Sequence, residues 1–192
     1  MTPWRRAAAA TWLAVLSFGA ACASPAPIQL AGLDGGLHEP ATVAAGHVHV
    51  LVFTSHECPI ANSYAPVLRD LAASWSTAPV RLFLIHVDPD LSLQAALEHA
   101  RAFELPGTIV LDPEQRLART FGATKTPEAV VLTAAGPAYR GRIDDQWQAL
   151  GQRTQAAEHH DLRDAVTAAL AGRTVPLPHP PAIGCLLPEP RR

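Results

Sequence analysis

A single cysteine, Cys58, stands in the stretch "FTSHECPIANSYAPVLRDLA" (53–72), with His56, Glu57 and Pro59 around it. A thiol attacks and binds metals as its thiolate, so its chemistry depends on what takes or stabilises its proton. His56 and Glu57 flank the sulfur and are the candidates for that proton transfer. His56-x-Cys58 is also a pair of donors that suits a soft or borderline metal, Cu(I) through thiolate and Cu(II) through imidazole. A third reading is a small buried hydrophobe without reactivity. Residue types alone leave all three open.

The elements on either side favour chemistry. "HVHVLVF" (47–53) is a continuous, β-branched apolar run that predicts a buried strand. Ile60, Tyr64, Val67, Leu68, Leu71 and Trp75 then recur at helical spacing, and Pro66 predicts a kink. Cys58 therefore lies at a strand's C-terminal end, where open α/β sheets place their sites. It also precedes a helix, whose free N–H groups stabilise a thiolate, and Pro59 suits a first helical position.

Further along, strands are predicted at 80–87, 107–111, "EAVVLT" (128–133) and "AYRGRI" (138–143), the last two joined at Gly136-Pro137. Helices are predicted at 91–103, at 113–122 with Pro113 at its start, and at 154–172. The Asp-Gly-Gly signal in "PAPIQLAGLDGGLHE" (25–39) predicts a hairpin. Strands alternating with helices predict an α/β fold with a central mixed sheet of about five strands flanked by helices. Asp144 and Asp145 are read as turn or cap residues, His47 and His49 as strand residues with one edge solvated, and His159-His160 as a solvated face.

The 192-residue chain has 48% apolar and 17% charged residues and a formal charge of −2, which fits a globular domain and offers no basic stripe for nucleic acid. "MTPWRR", the apolar run after it and Ala21-Cys22-Ala23 read as a signal peptide over 1–23, with a domain over 24–174 and a Pro-rich C-terminal arm over 175–192. The expected location is periplasmic or secreted. Cys22 is alternatively a lipidated cysteine, and membrane association is expected only in that case. Cys58 and Cys185 then remain, in a compartment where disulfides persist, as a structural staple or a redox pair.

The segment Cys58, Pro66, Leu68, Leu71 and Ala72 resembles the active-site segment of the thioredoxin fold. "TKTPEAVVL" (124–132) resembles that fold's second landmark, and the resemblance implies a cis Thr126-Pro127 bond leading into Val130, Val131 and Leu132. One extra strand–helix unit between them is similar to the exported redoxin family, which includes cytochrome-maturation thiol–disulfide proteins and alkyl-hydroperoxide-reductase-like proteins. "YRGRIDDQW" (139–147) and "PAIGCLL" (181–187) resemble a redoxin-like subgroup. The likeness spans about residues 27–187.

The departures narrow what it implies. Ala61 stands where a thioredoxin carries its second motif cysteine, Val52 where it carries a buried acid, and Ser55 where the peroxidase branch has threonine. Cys185 would then act as a distal resolving cysteine. The resulting expectation is an exported thiol-dependent redox protein that carries out thiol–disulfide exchange or peroxide reduction with Cys58 as nucleophile, antioxidant in the second case. Its site is Cys58 and Cys185 with Thr126 and Pro127, and His56 and Glu57 as proton-transfer candidates. Expected partners are a thiol/disulfide protein or a small peroxide, plus an unidentified reductant; no cofactor is expected. The alternative is a non-enzymatic copper- or partner-binding module, with His56, Cys58 and Cys185 as ligands.

Overall fold

The computed structural model describes residues 27–190; the signal segment at 1–23 and Cys22 lie outside the described residues. Strands β1 (Leu30–Gly32) and β2 (Leu37–His38) form the expected antiparallel hairpin. β3 (Val48–Thr54) leads to helix α1 (Pro59–Ser63) and then α2 (Ala65–Ser74). β4 (Val80–His86), α3 (Leu93–Ala102), β5 (Thr108–Leu111) and α4 (Arg116–Phe121) follow as two strand–helix units. The chain continues through β6 (Lys125–Thr126), β7 (Glu128–Thr133), β8 (Gly136–Gly141), β9 (Trp147–Ala149), β10 (Gln152–Arg153), α5 (Asp161–Leu170) and β11 (Cys185–Leu186).

The main sheet has seven strands in the order β2-β1-β5-β4-β3-β7-β8, two more than expected. The hairpin accounts for the difference, because β1 pairs antiparallel with β5 and so extends the sheet. β3, β4 and β5 run parallel, while β7 and β8 are antiparallel, which makes the sheet mixed. β3 alternates strictly, since side chains switch faces at every residue. Val48, Val50 and Val52 pack with Tyr64, Leu68, Trp75, Leu162 and Val166 on one face, and Leu51 and Phe53 with Phe83, Ile85 and Leu117 on the other. Burial on both faces explains the unbroken apolar runs in β3 and β4.

Local chemistry moves several boundaries from where the residue pattern put them. The predicted kink is a break: Tyr64 separates α1 from α2, with Pro66 in the first turn of α2. α4 starts at Arg116 rather than at Pro113, because the Asp112 carboxylate accepts the N–H groups of Arg116, Leu117 and Ala118. The 154–172 helix shortens to Asp161–Leu170. Asp145 takes the N–H groups of Glu158 and His159, and residues 147–153 form a small β9–β10 hairpin instead. His49 is buried, with Nδ1 on the Pro40 carbonyl, rather than solvated. Among the described residues, no helix is long and apolar enough to cross a membrane.

Candidate functional site

Cys58 is the N-cap residue of α1, and its sulfur accepts the Ala61 N–H at 3.4 Å. A cap side chain at that point satisfies a backbone donor that the helix leaves open. The loop before it is held from the end of the neighbouring strand. Ser55 Oγ and the His56 N–H both donate to the Asp88 carboxylate, and the Glu57 N–H donates to Ser55 Oγ. Asp88 is buried just past β4, so the two adjacent parallel strands fix the Cys58 loop together.

The opposite wall is the Thr126-Pro127 bond, which is cis. Glu128 accepts the N–H groups of Thr124 and Lys125 and thereby sets the turn that enters it. The Thr126 carbonyl lies 3.0 Å from Cys58 Sγ and accepts from the thiol form.

The C-terminal arm is docked along its length and does not trail from the domain. The Arg142 N–H donates to the Pro180 carbonyl, Lys125 Nζ to the Ala182 carbonyl, and Gln115 Nε2 to the Pro188 carbonyl. β11 pairs antiparallel with β6, setting Cys185 opposite Thr126. Gly184 lies so close to β6 that a Cβ there would overlap the Thr126 carbonyl. This register brings Cys185 Sγ to 2.9 Å from Cys58 Sγ, with both thiols free. Residues 127 apart in sequence thus form one dithiol.

The two sulfurs differ in acidity. Cys58 is only 2% exposed, and burial pushes its thiol up. Hydrogen bonding from Cys185, Thr126 and the Ala61 N–H together outweighs burial, so its pKa falls below that of a free thiol. Cys185 is pushed up to about 11, first by burial and then by its bond to Cys58. Of the two thiols, Cys58 therefore gives up its proton at the lower pH and Cys185 keeps its own to a higher one.

The sign of that shift makes a prediction. A lowered pKa keeps the thiolate at lower pH, so Cys58 alkylation in the reduced protein should rise with pH and level off below the range of an ordinary cysteine. Replacing the donor by Cys185→Ala should move the midpoint upward, as read from iodoacetamide rates across pH.

The remaining expected residues are placed elsewhere. Glu57 is 83% exposed, its carboxylate 3.9 Å from His56 Nε2. The His56 ring turns toward Asp88, with Nδ1 3.3 Å from Oδ1, and toward His99. The donor atoms of His56, Cys58 and Cys185 are not gathered into one cluster: among the described residues, the group of three or more within 4.8 Å of one another is Asp145, Glu158 and His159. Asp144 accepts from Tyr64 Oη and the Gln146 N–H, the turn role expected of it.

Asp88 was not singled out by residue pattern, although its place after a predicted strand, beside the Cys58 end of the sheet, was the available signal. Asp88→Ala would leave the Ser55 hydroxyl, the His56 N–H and His86 Nδ1 without their acceptor. Buried donors stranded in this way destabilise by about 3 kcal/mol, or roughly 10 °C in the unfolding midpoint. Thermal melts of the variant, together with faster Cys58 alkylation from a loosened loop, are the expected results.

Comparisons with known proteins bear on the fold and the family. A protein of Sinorhizobium meliloti superposes with a TM-score of 0.73 at 23% identity, covering 84% of this chain and 90% of that one. A conserved protein of Geobacillus kaustophilus gives 0.72 at 24%, covering 84% and 88%. A secreted Mycobacterium tuberculosis disulfide oxidoreductase homologous to Escherichia coli DsbE gives 0.54 at 20%, covering 76% and 95%. At these identities the likeness establishes the thioredoxin-like fold. A comparison with curated proteins found no match. The family model described as AhpC/TSA matches residues 24–143, which is more than half of the chain, and the protein belongs to the AhpC/TSA family.

Proposed function

We propose that this protein is an exported thiol-dependent oxidoreductase in which Cys58 is the nucleophile and Cys185 the resolving thiol. The observation that carries this reading is the 2.9 Å approach of the two sulfurs, held by β11 on β6. Attack by the Cys58 thiolate on a disulfide forms a mixed disulfide and releases one thiolate. Cys185 then attacks the Cys58 sulfur, closing the Cys58–Cys185 bond and releasing the second thiolate, and its own proton passes to that leaving group. A small peroxide enters the same cycle. The thiolate takes the outer oxygen, the O–O bond breaks and an alcohol leaves; Cys185 then displaces water from the sulfenic acid. A dithiol reductant restores the starting state in both cases. Thr126 and Pro127 form the wall that an incoming substrate meets.

The basic and apolar segment at 1–23 and the secreted oxidoreductase among the structural neighbours support an exported site of action, periplasmic or secreted. Lipidation at Cys22 would anchor the same domain to a membrane.

The Cys185→Ser variant separates the two oxidants. Without its follower, Cys58 should accumulate as a sulfenic acid after peroxide and as a mixed disulfide after a disulfide substrate, both readable by mass. Wild-type protein should end as the internal disulfide. A Cys58 left unmodified by both reagents would sink the proposal.

A further inference from the structure

The groups that touch the Cys58 sulfur come from two sources. The Ala61 N–H and the Thr126 carbonyl belong to the frame of the domain. The Cys185 thiol and the Cys185 backbone N–H belong to the C-terminal arm. Together they leave Cys58 buried, while Cys185 is part-exposed and Leu186 beside it is 76% exposed. The arm is therefore the outer cover of the sulfur.

The two sides of this enclosure are held very differently. The Cys58 loop is fastened to its neighbours on several sides. Asp88 holds it through Ser55 and the His56 N–H, and also faces His86 Nδ1 at 3.3 Å. Asn62 Nδ2 donates to the His56 carbonyl, and Asn62 Oδ1 accepts from His99 Nε2 on α3. The arm rests on less. β11 pairs with β6 over two residue pairs, and the Leu187 N–H adds a 3.3 Å bond to the Thr124 carbonyl. The Leu187 side chain is part-buried against the core face of Leu51 and Phe53. On either side, Lys125 ties the Ala182 carbonyl and Gln115 the Pro188 carbonyl. A segment with so few buried apolar contacts opens locally, at a free energy below that of the whole domain.

Opening matters because a disulfide must bring its attached groups with it when one of its sulfurs comes within bonding reach of Cys58 Sγ. Cys185 and the backbone of β11 occupy that approach. Hydrogen peroxide is two oxygens long and needs only the Cys185 side chain to turn. We propose that residues 183–187 form a size-selecting strap over the thiol site: paired with β6 it passes a small peroxide, and lifted from β6 it admits a bulky disulfide. This deepens the reading of Cys58 as nucleophile and rests on it. In one turnover with a disulfide the strap acts twice. It leaves so that the Cys58 thiolate can form the mixed disulfide and release the first substrate thiolate. It returns so that Cys185 can attack Cys58 Sγ, and the second substrate sulfur departs with the Cys185 proton. The Cys58–Cys185 bond then holds the strap shut until a dithiol reduces it.

The test uses the full chain carrying Cys185→Ser, so that each product stays on Cys58. Reduced protein is treated with hydrogen peroxide or with glutathione disulfide, and the sulfenic acid or glutathione adduct is timed by mass. Adding Leu187→Ala, which weakens the strap's packing, should speed the glutathione adduct about tenfold and leave the peroxide rate within about twofold. Hydrogen exchange of the reduced wild-type chain is the second readout and needs no substitution: amides in 183–187 should exchange faster than those of β3 while the domain stays folded. A glutathione rate unchanged by Leu187→Ala overturns the proposal, as does an equal acceleration with both oxidants. So does exchange of 183–187 as slow as that of β3. Cys58 left unmodified by both oxidants in both chains would instead remove the redox reading on which the strap depends.

Discussion

Oxidation of the purified protein should join Cys58 to Cys185 within one chain and raise its unfolding midpoint by roughly 10 °C or more. The bond would close a loop between residues 127 apart in sequence. Constraining an unfolded chain over that length contributes about 5 kcal/mol in the chain-entropy treatment. A domain of this size gains about 2–4 °C per kcal/mol. The folded state needs little rearrangement to accept the bond, because β11 is already paired with β6 and the arm is anchored at Pro180, Ala182 and Pro188. The measurement is the midpoint with and without oxidant, alongside the intact mass of non-reduced protein. Wild type should lose two hydrogens and gain stability, whereas Cys58→Ser and Cys185→Ser should show neither the two-hydrogen loss nor the rise in midpoint. Disulfide-linked dimers, or an oxidised monomer melting with the reduced one, would contradict the pairing. The same result bears on function, since a bond that resists mild dithiols would act as a staple and one that they open readily would act as a cycling site.

What the residue pattern revealed and what it concealed follow from where the information lies. β3 and β4 were legible because burial on both faces requires continuous apolar runs, and the hairpin because Asp34-Gly35-Gly36 is a turn signal. The sheet was undercounted because β1 joins β5 through backbone hydrogen bonds over two residue pairs, which leave no mark on side-chain type. The helix before Asp161 was overextended for a similar reason. Thr154 to His160 contains good helix formers, but a carboxylate thirteen residues upstream captures the Glu158 N–H. Propensity is a weak prior against such a tertiary contact. At the site, Cys58, the cis Thr126-Pro127 bond and Cys185 were all named from the sequence, the cis bond by likeness alone. The Asp88, His86 and His99 cluster was not. Its members come from separate segments, and a cluster of that kind has no spacing to recognise. His56 was named for a role beside the sulfur, and its ring faces the other way, toward Asp88.

Gly184 is the residue on which the dithiol geometry most depends, and Gly184→Ala should uncouple the two cysteines while leaving both in place. Its backbone runs against the Thr126 carbonyl and the Pro127 nitrogen, closer than any side chain allows. A methyl group there meets the backbone of the Thr126-Pro127 peptide, not the movable end of a side chain. The strain is relieved by lifting β11 from β6, because that pairing rests on only two residue pairs whereas the β6 segment is held at Thr124 and Lys125 by Glu128, a residue of the main sheet. Lifting carries Cys185 away from Cys58 Sγ, and displacement of a reacting group by about 1 Å can slow its step a hundredfold. Internal disulfide formation should therefore slow by about that factor, followed by quenched oxidation time courses and mass. Cys58 should become more open to alkylating reagents at the same time, since β11 covers it, while its thiolate titration moves upward with the loss of the Cys185 donor. The domain itself should stay folded, because its core clusters lie in the main sheet and its helices and do not include Gly184. A Gly184→Ala protein that oxidises at the wild-type rate would show that β11 does not position Cys185, and the resolving role would then have to come from a mobile arm.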